Sequence, residues 1–352
     1  MDIPSKDIKS ALNGNCALKI DDRQEKIQMS SLSNLTGFPV DYIKKELKHN
    51  KPKNLYEPVK YLLESGGKRL RPIIVLYVSE LFGGKITNSL PAAAALEIFH
   101  NFTLAHDDIM DNSLMRRGKK TINSKWDNNT GILSGDVMLI ISYEILNQYE
   151  DSKYILLSKK LTEISRLVCE GQQADMDFSS EKDITENEYL EMVKNKTAVL
   201  IACSFMFGGI VADSDTSNID LLYKIGLNLG IAFQLEDDLL DSFGDQKKFG
   251  KKIGGDIIEK KKTLLFLHTN SKLEFDKRLE FENIFNSNEM DESEKINSIK
   301  SFYETSGAVS YIKNKVRVYF DEAKQLIDKL ELDNDTKKKL NQFSKTLLNR
   351  EI

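Results

Sequence analysis

An all-α fold is predicted by three observations on this 352-residue sequence. It has only six prolines, so long stretches can run as uninterrupted helix. Apolar residues recur at three- and four-residue spacing, and Gly pairs or Pro stand where the runs begin and end. Strand-like alternation persists nowhere. Hydrophobic residues at 40% supply a sizeable core, and 30% charged residues cover a soluble globular surface. Length alone allows two domains of about 150 residues. A single-domain helical bundle over residues 36–352 with buried central helices fits as well, and two acidic clusters would face each other across its cavity.

Residues 1–35 are polar and lack a sustained period, which predicts a poorly ordered extension of unassigned role. A helix opens at Asn54-Leu55-Tyr56-Glu57-Pro58 and ends at Ser65-Gly66-Gly67. Pro72 suits the first turn of a second helix, which runs to Leu81 and stops at Gly83-Gly84. Pro91 likewise suits the start of a third, carrying Ala94, Ile98 and Phe102. Gly118, Gly131 and Gly135 bracket a loop and a helix from about Ile132 to Gln148. Another helix runs through Leu156 to Glu170, followed by a charged loop from Asp177 to Glu186. Helices near Glu188 to Phe207 and Ile219 to Leu240 come next, then a basic, glycine-containing segment from Asp245 to Lys262. The remainder is amphipathic and reads as a packing and oligomer scaffold.

Several classes are disfavoured. A net charge of −4 gives no electrostatic case for nucleic acid. Cys16, Cys169 and Cys203 are too few and scattered for a disulfide framework or a zinc site, and suit a reduced, cytoplasmic setting. The most apolar stretch, Val199 to Ala212, is too short to span a bilayer, so no integral membrane segment is expected. The N-terminus lacks an apolar signal core.

The chemistry is carried by an acidic pentapeptide that occurs twice, Asp107-Asp108-Ile109-Met110-Asp111 and Asp237-Asp238-Leu239-Leu240-Asp241. On a helix, residues four apart share a face, so Asp107 pairs with Asp111 and Asp237 with Asp241. Leu104, Ala105 and Ile109 surround the first cluster, and Ile231, Ala232 and Leu235 the second. Paired carboxylates in apolar settings repel one another unless a cation joins them, and Mg2+ binds through a few carboxylates plus water and phosphate oxygens. A single copy is as well explained by a helix cap or a solvated acidic face; two copies favour metal sites facing a diphosphate.

Cations accompany the acids. Gly66-Gly67-Lys68-Arg69-Leu70-Arg71-Pro72 sets three cations on a glycine turn entering a helix, a setting that attracts anions or simply makes a solvated basic turn. Arg116-Arg117-Gly118 follows the first cluster. His100, Thr103, Asp107 and Asp111 fall on one stripe, where His100 is either a satisfied core group or a ligand contact; His106 stays unassigned. Lys196-Thr197, Gln234, Gln172, Asp175 and the run from Gly250 to Asp256 with Lys261 add donors and one more carboxylate.

Together these motifs, in this order over about Leu55 to Lys262, resemble the trans-isoprenyl diphosphate synthases, most closely the short-chain farnesyl and geranylgeranyl diphosphate synthases. The resemblance implies an isoprenoid-synthase bundle in which an allylic diphosphate (dimethylallyl, geranyl or farnesyl) ionises, isopentenyl diphosphate attacks, and a proton is lost. It assigns Asp107, Asp111 and Asp237 as direct ligands of three Mg2+ ions, with Mn2+ as a substitute and Asp108, Asp238 and Asp241 in support. Arg116, Lys196, Gln234, Lys251 and Lys261, with Gln172 and Asp175, would hold the allylic diphosphate. Gly67, Lys68, Arg71, His100 and Arg117 would hold isopentenyl diphosphate. Thr197 and Gln234 would steer the cation, and released diphosphate would be the base. Phe102 and Thr103, about 7.5 and 6 Å before Asp107 along the axis, with Phe99 about 12 Å away, would form the floor that sets product length. One aromatic at Phe102 beside the small Thr103 resembles geranylgeranyl diphosphate synthases; Phe99 keeps farnesyl diphosphate open. A homodimer is implied too. Lys120 and Lys260 depart from the family pattern, and neither removes a ligand. A class I terpene cyclase, a squalene-type synthase and a non-catalytic regulatory subunit are the competing readings. A cyclase handles one diphosphate and needs no Lys68, Arg71 and His100 pocket; a squalene-type enzyme does not use isopentenyl diphosphate; a regulatory subunit is expected to lose acids that this chain keeps.

Overall fold

The computed structural model describes residues 37–47, 51–179, 181, 183–244 and 253–349. The N-terminal extension and Lys251 lie outside them. Sixteen α-helices run through the described residues, joined at one point by a two-residue ladder. They begin with α1 (Gly37–Glu46), α2 (Lys53–Leu63), α3 (Leu70–Leu81) and α4 (Ile86–Met110). A hairpin of β1 (Met115–Arg116) and β2 (Lys119–Lys120) leads to α5 (Ile122–Lys125), α6 (Asn128–Leu146), α7 (Asp151–Phe178) and α8 (Glu186–Val193). A π-helical turn, Lys194–Ala198, connects α8 to α9 (Val199–Val211), and α10 (Thr216–Phe243) follows. The chain finishes with α11 (Gly255–Ile258), α12 (Leu264–Lys272), α13 (Phe275–Asn286), α14 (Glu292–Thr305), α15 (Ala308–Asp328) and α16 (Asn334–Asn349).

The all-α prediction holds, and its differences in detail have local causes. Helix α4 begins at Ile86, so Pro91 sits inside it. A proline so near a helix start removes only an N–H whose acceptor lies in the first turn. Gly131 and Gly135 are helical residues of α6, placed there because α4 lies close: a methyl on Gly135 would overlap the His106 ring. Helix α7 continues to Phe178, which brings Gln172 and Asp175 inside it. The Met115–Lys120 hairpin is too short for alternation to reveal.

Every residue of α9 is buried, as its uninterrupted apolar sequence requires. Helices α3, α7 and α10 pack around it, α4 packs on α6, and α15 lies along α10. Two apolar cores result. One gathers Phe99, Phe205, Phe207 and the inner faces of α2 to α7 and α9. The other gathers Phe281, Phe285, Tyr303 and the inner faces of α8 and α12 to α15. Helix α10 contributes to both, Leu222 and Ile225 to the first and Ile231, Leu235 and Leu239 to the second. The two long helices that bear the acidic clusters are therefore held along much of their length.

Candidate active site

The first cluster stands at the C-terminal end of α4. Asp111 is its C-cap, and the Asp111 N–H donates to the Asp107 carbonyl at 2.9 Å, so the helical turn continues through both acids. Burial pushes the Asp107 carboxyl above its usual range, with Asp111 adding to the shift and Lys196 and Arg116 opposing it. Asp108 is buried; its Oδ1 accepts from Arg116 Nε at 2.6 Å, while Oδ2 has no hydrogen-bond partner. Burial raises this carboxyl too, against the pull of Arg116.

The second cluster lies near the end of α10. Asp238 gives both oxygens to neighbours: Oδ2 accepts from the Tyr189 hydroxyl and Oδ1 from Gln234 Nε2 at 2.9 Å. The other end of that amide is fixed as well, since Thr197 Oγ1 donates to Gln234 Oε1 at 3.0 Å. Burial foremost pushes the Asp238 carboxyl up to about 7. Asp241 binds the following turn: its Oδ2 accepts from the Asp256 N–H at 2.9 Å and its carbonyl from the Gly254 N–H at 2.7 Å. Burial and the nearby acids raise the Asp256 carboxyl strongly. Burial opposes the Lys261 ammonium, but Asp256 and Glu259 outweigh it and hold that group above its ordinary value.

Asp175 joins the two clusters. It accepts from Lys196 Nζ at 2.5 Å, and its charge acts on Asp107 on one side and on Lys261 and Tyr189 on the other. Lys196 and Thr197 both sit in the π-helical turn, where an extra residue pushes the backbone out of α register, as such turns do at functional sites. Helix α7 comes so close that a methyl on Gly171 would stand 2.6 Å from the Asn195 carbonyl carbon. Gln172, one residue on, has its buried Nε2 without a hydrogen-bond partner.

A cationic pocket forms where α3 begins. Gly66 and Gly67 take φ of +82° and +118°, so this turn favours glycine, and a methyl on Gly67 would sit 2.5 Å from the Arg117 guanidinium carbon. Arg117 donates to the Gly66 carbonyl. Lys68 is exposed on the turn. Arg71 NH1 lies 3.1 Å from His100 Nε2. A guanidinium only donates, so Nε2 accepts and the ring proton sits on Nδ1, facing Thr103 Oγ1 at 3.5 Å. Burial, followed by Arg71 and three further arginines, drives the His100 pKa well below its ordinary value, which keeps the ring neutral. Burial lowers Arg71 to about 10, and its Nε lacks a partner. Below the first cluster, the Phe99 and Phe102 rings pack at 5.4 Å and Phe102 meets His106 edge-on at 4.9 Å. Thr103 donates to the His100 carbonyl at 2.8 Å.

Sequence reasoning missed three features. Tyr189 reaches Asp238 from a different helix, and no local pattern signals that contact. Arg69, read only as one of three cations, is 7% exposed and pairs with Glu97, which also accepts from Asn101 Nδ2 at 2.9 Å. The π turn has no compositional mark.

Among the described residues, no three His, Cys, Asp or Glu side chains close tightly enough to hold a metal unaided. The donor set nevertheless fits Mg2+. Buried carboxylates with raised pKa values and an unpartnered Asp108 oxygen favour a cation, and Mg2+ takes few carboxylates and completes its shell with water and phosphate.

Comparison with known proteins agrees with this site. The sequence profile described as polyprenyl synthetase matches residues 52–303. The geranylgeranyl diphosphate synthase of Methanosarcina mazei is 37% identical over 307 residues, 86% of this chain and 91% of that one. The synthase of that name from Saccharolobus solfataricus is 43% identical over 231 residues, 64% of this chain and 69% of that one. A crystal structure of a geranylgeranyl pyrophosphate synthase superposes with a TM-score of 0.87 at 42% identity, over 92% of this chain and all of the other. With a profile match over most of the length and a relative this similar across both chains, the protein belongs to the polyprenyl synthetase family and is a prenyltransferase.

Proposed function

We propose that this chain condenses isopentenyl diphosphate with allylic diphosphates and releases geranylgeranyl diphosphate. The observation that carries the reading is the Lys196–Asp175 pair, within electrostatic reach of Asp107 in the first cluster and of Lys261 and Tyr189 beside the second, together with the separate Arg71, His100 and Arg117 pocket. Two separate anion sites suit two diphosphates, and a single-diphosphate cyclase has no use for the second. The names of these relatives support the product.

Asp107, Asp111 and Asp237 would hold three Mg2+ ions, which neutralise charge developing on the leaving diphosphate. Arg116, Lys196 and Lys261 orient that diphosphate, and Gln172 Nε2 has a donor to offer it. Asp108 and Asp238 position neighbours through Arg116 and through Gln234 and Tyr189. Arg71 and Arg117 bind isopentenyl diphosphate. His100, held neutral, accepts from Arg71 at Nε2 and so orients that guanidinium without adding charge. Thr197 and Gln234 face the reacting carbons with oxygen dipoles fixed by their mutual bond. Phe102, backed by the fully buried Phe99, closes the channel beneath.

We further propose that two copies pair through the exposed apolar face of α6, and that the enzyme works in the cytoplasm, where its free Cys169 and Cys203 remain reduced. The test is incubation with isopentenyl diphosphate, Mg2+ and five-, ten- or fifteen-carbon starters, followed by chain-length analysis. A twenty-carbon diphosphate from all three is expected. Cyclic hydrocarbon without uptake of labelled isopentenyl diphosphate overturns the reading.

A further inference from the structure

The hairpin after the first acidic cluster serves the site with only part of its side chains. Arg116 and Arg117 turn to Asp108 and Gly66. Their neighbours turn outward: Leu114 is 69% and Met115 56% exposed, and Lys119 and Lys120 are exposed beside them. The ladder pairs Met115 with Lys120, which sets an apolar and a cationic side chain across from each other. The two strands and their open end are held firmly. The Tyr61 hydroxyl donates to the Lys120 carbonyl at 2.8 Å, Lys119 Nζ donates to the Glu64 carbonyl at 3.0 Å, and the Thr121 N–H closes the loop on the Leu114 carbonyl at 3.1 Å. Under it lies α2, whose outer face repeats lysine and tyrosine at helical spacing (Lys53, Tyr56, Lys60, Tyr61) while Val59, Leu62 and Leu63 are buried on the other. The Lys125 ammonium sits 3.7 Å above the Tyr61 ring.

We infer that this face docks on an anionic lipid bilayer, with Leu114 and Met115 entering the headgroup boundary and Lys119, Lys120 and Lys125 meeting lipid phosphates. Lysine alone would describe a solvated patch, but solvation does not account for two large apolar side chains held side by side at the open end of the ladder. Exposed apolar side chains with tyrosine and lysine around them match the chemistry of the membrane interface. Charge complementarity is local, because the chain as a whole is acidic at −4. No helix among the described residues is long and apolar enough to cross a membrane, so the contact is peripheral. The docking stands on this surface alone; the proposed reaction adds a use for it, since an anionic twenty-carbon product leaves a site whose Arg116 and Arg117 belong to the docked hairpin.

Flotation of the full chain with vesicles tests the inference without any turnover in the readout. Binding to vesicles containing phosphatidylglycerol is expected, with little to pure phosphatidylcholine. K119Q/K120Q/K125Q weakens that binding about a hundredfold, roughly fivefold per lysine. L114S/M115S weakens it as well, and K337Q/K338Q in α16, outside this face, leaves it unchanged. The triple lysine variant keeps its turnover on soluble substrates when vesicles are absent. Equal binding to both vesicle types, no binding, or full binding by the triple variant overturns the inference. A raised KM for soluble diphosphates with vesicle binding unaltered also overturns it, and assigns the lysines to substrate collection.

Discussion

Asp238 spends both carboxylate oxygens on Tyr189 and Gln234, whereas Asp237, adjacent in sequence, is half-buried on the next face of α10. On the proposed assignment, repeats of one motif divide into acids that would face the metal and acids that brace the site. Asp107→Ala and Asp237→Ala are each expected to lower Mg2+-dependent kcat by about a hundredfold or more while the circular dichroism spectrum stays unchanged; near-normal turnover in both variants sinks the metal assignment. Asp238 carries a pH prediction. Its folded-state pKa, about 7, lies above the unfolded value, so the native protein keeps a proton that the unfolded chain loses. The stability it contributes is complete below the ordinary aspartate range and is lost as pH rises through about 7. In EDTA, melting temperature is expected to fall as pH rises from the ordinary aspartate range to about 7 and to level off above it, and Asp238→Asn should flatten that fall. An equal fall in the variant would remove Asp238 as its source. The carboxylates were readable in sequence because i and i+4 share a helix face. Tyr189 was not, because its partner lies 49 positions away on another helix.

At the scale of elements, glycine and proline marked most helix ends correctly, but they mark conformational freedom wherever it is needed. Gly131 and Gly135 admit Ile109 and the His106 ring between α4 and α6 and end nothing. Gly171 likewise admits the π turn that carries Lys196 and Thr197. A methyl there has backbone in its way, and backbone cannot rotate aside. Gly171→Ala is expected to cost about 1–3 kcal/mol of stability and to lower kcat by shifting Lys196 away from Asp175. Thermal melts and steady-state kinetics at matched folded fraction separate the two effects, and wild-type kcat in a folded variant would show that the π turn tolerates the shift. On α4, Phe102→Ala opens the space against Phe99 and His106 and is expected to lengthen the product; an unchanged chain-length profile removes Phe102 from the floor.

At the scale of the whole molecule, the question is why a protein with two well-filled cores leaves apolar surface on α6. Leu133 and Ile140, seven residues apart, stand exposed on one face of α6 with Ile132 beside them, and α7 adds Ile155 and Leu156. Scattered exposed leucines need no account, but a row at helical spacing on neighbouring helices does. Pairing of two copies about a twofold axis covers such a row with itself, and each substitution is then felt twice. The opposite face of α6 touches the site: the His106 ring lies against Gly135, and its Nε2 is 3.1 Å from the Ile132 carbonyl, one residue before Asp107 in sequence. The proposed pairing would therefore steady the helix against which the first cluster is set. L133D/I140D is expected to halve the mass measured by light scattering at micromolar concentration and to lower kcat several-fold, with loss of activity on dilution appearing in the wild type and not in the variant. A variant that keeps the wild-type mass places the contact elsewhere, and a monomer with undiminished kcat shows that α4 and α6 hold the acidic cluster without help from a second copy.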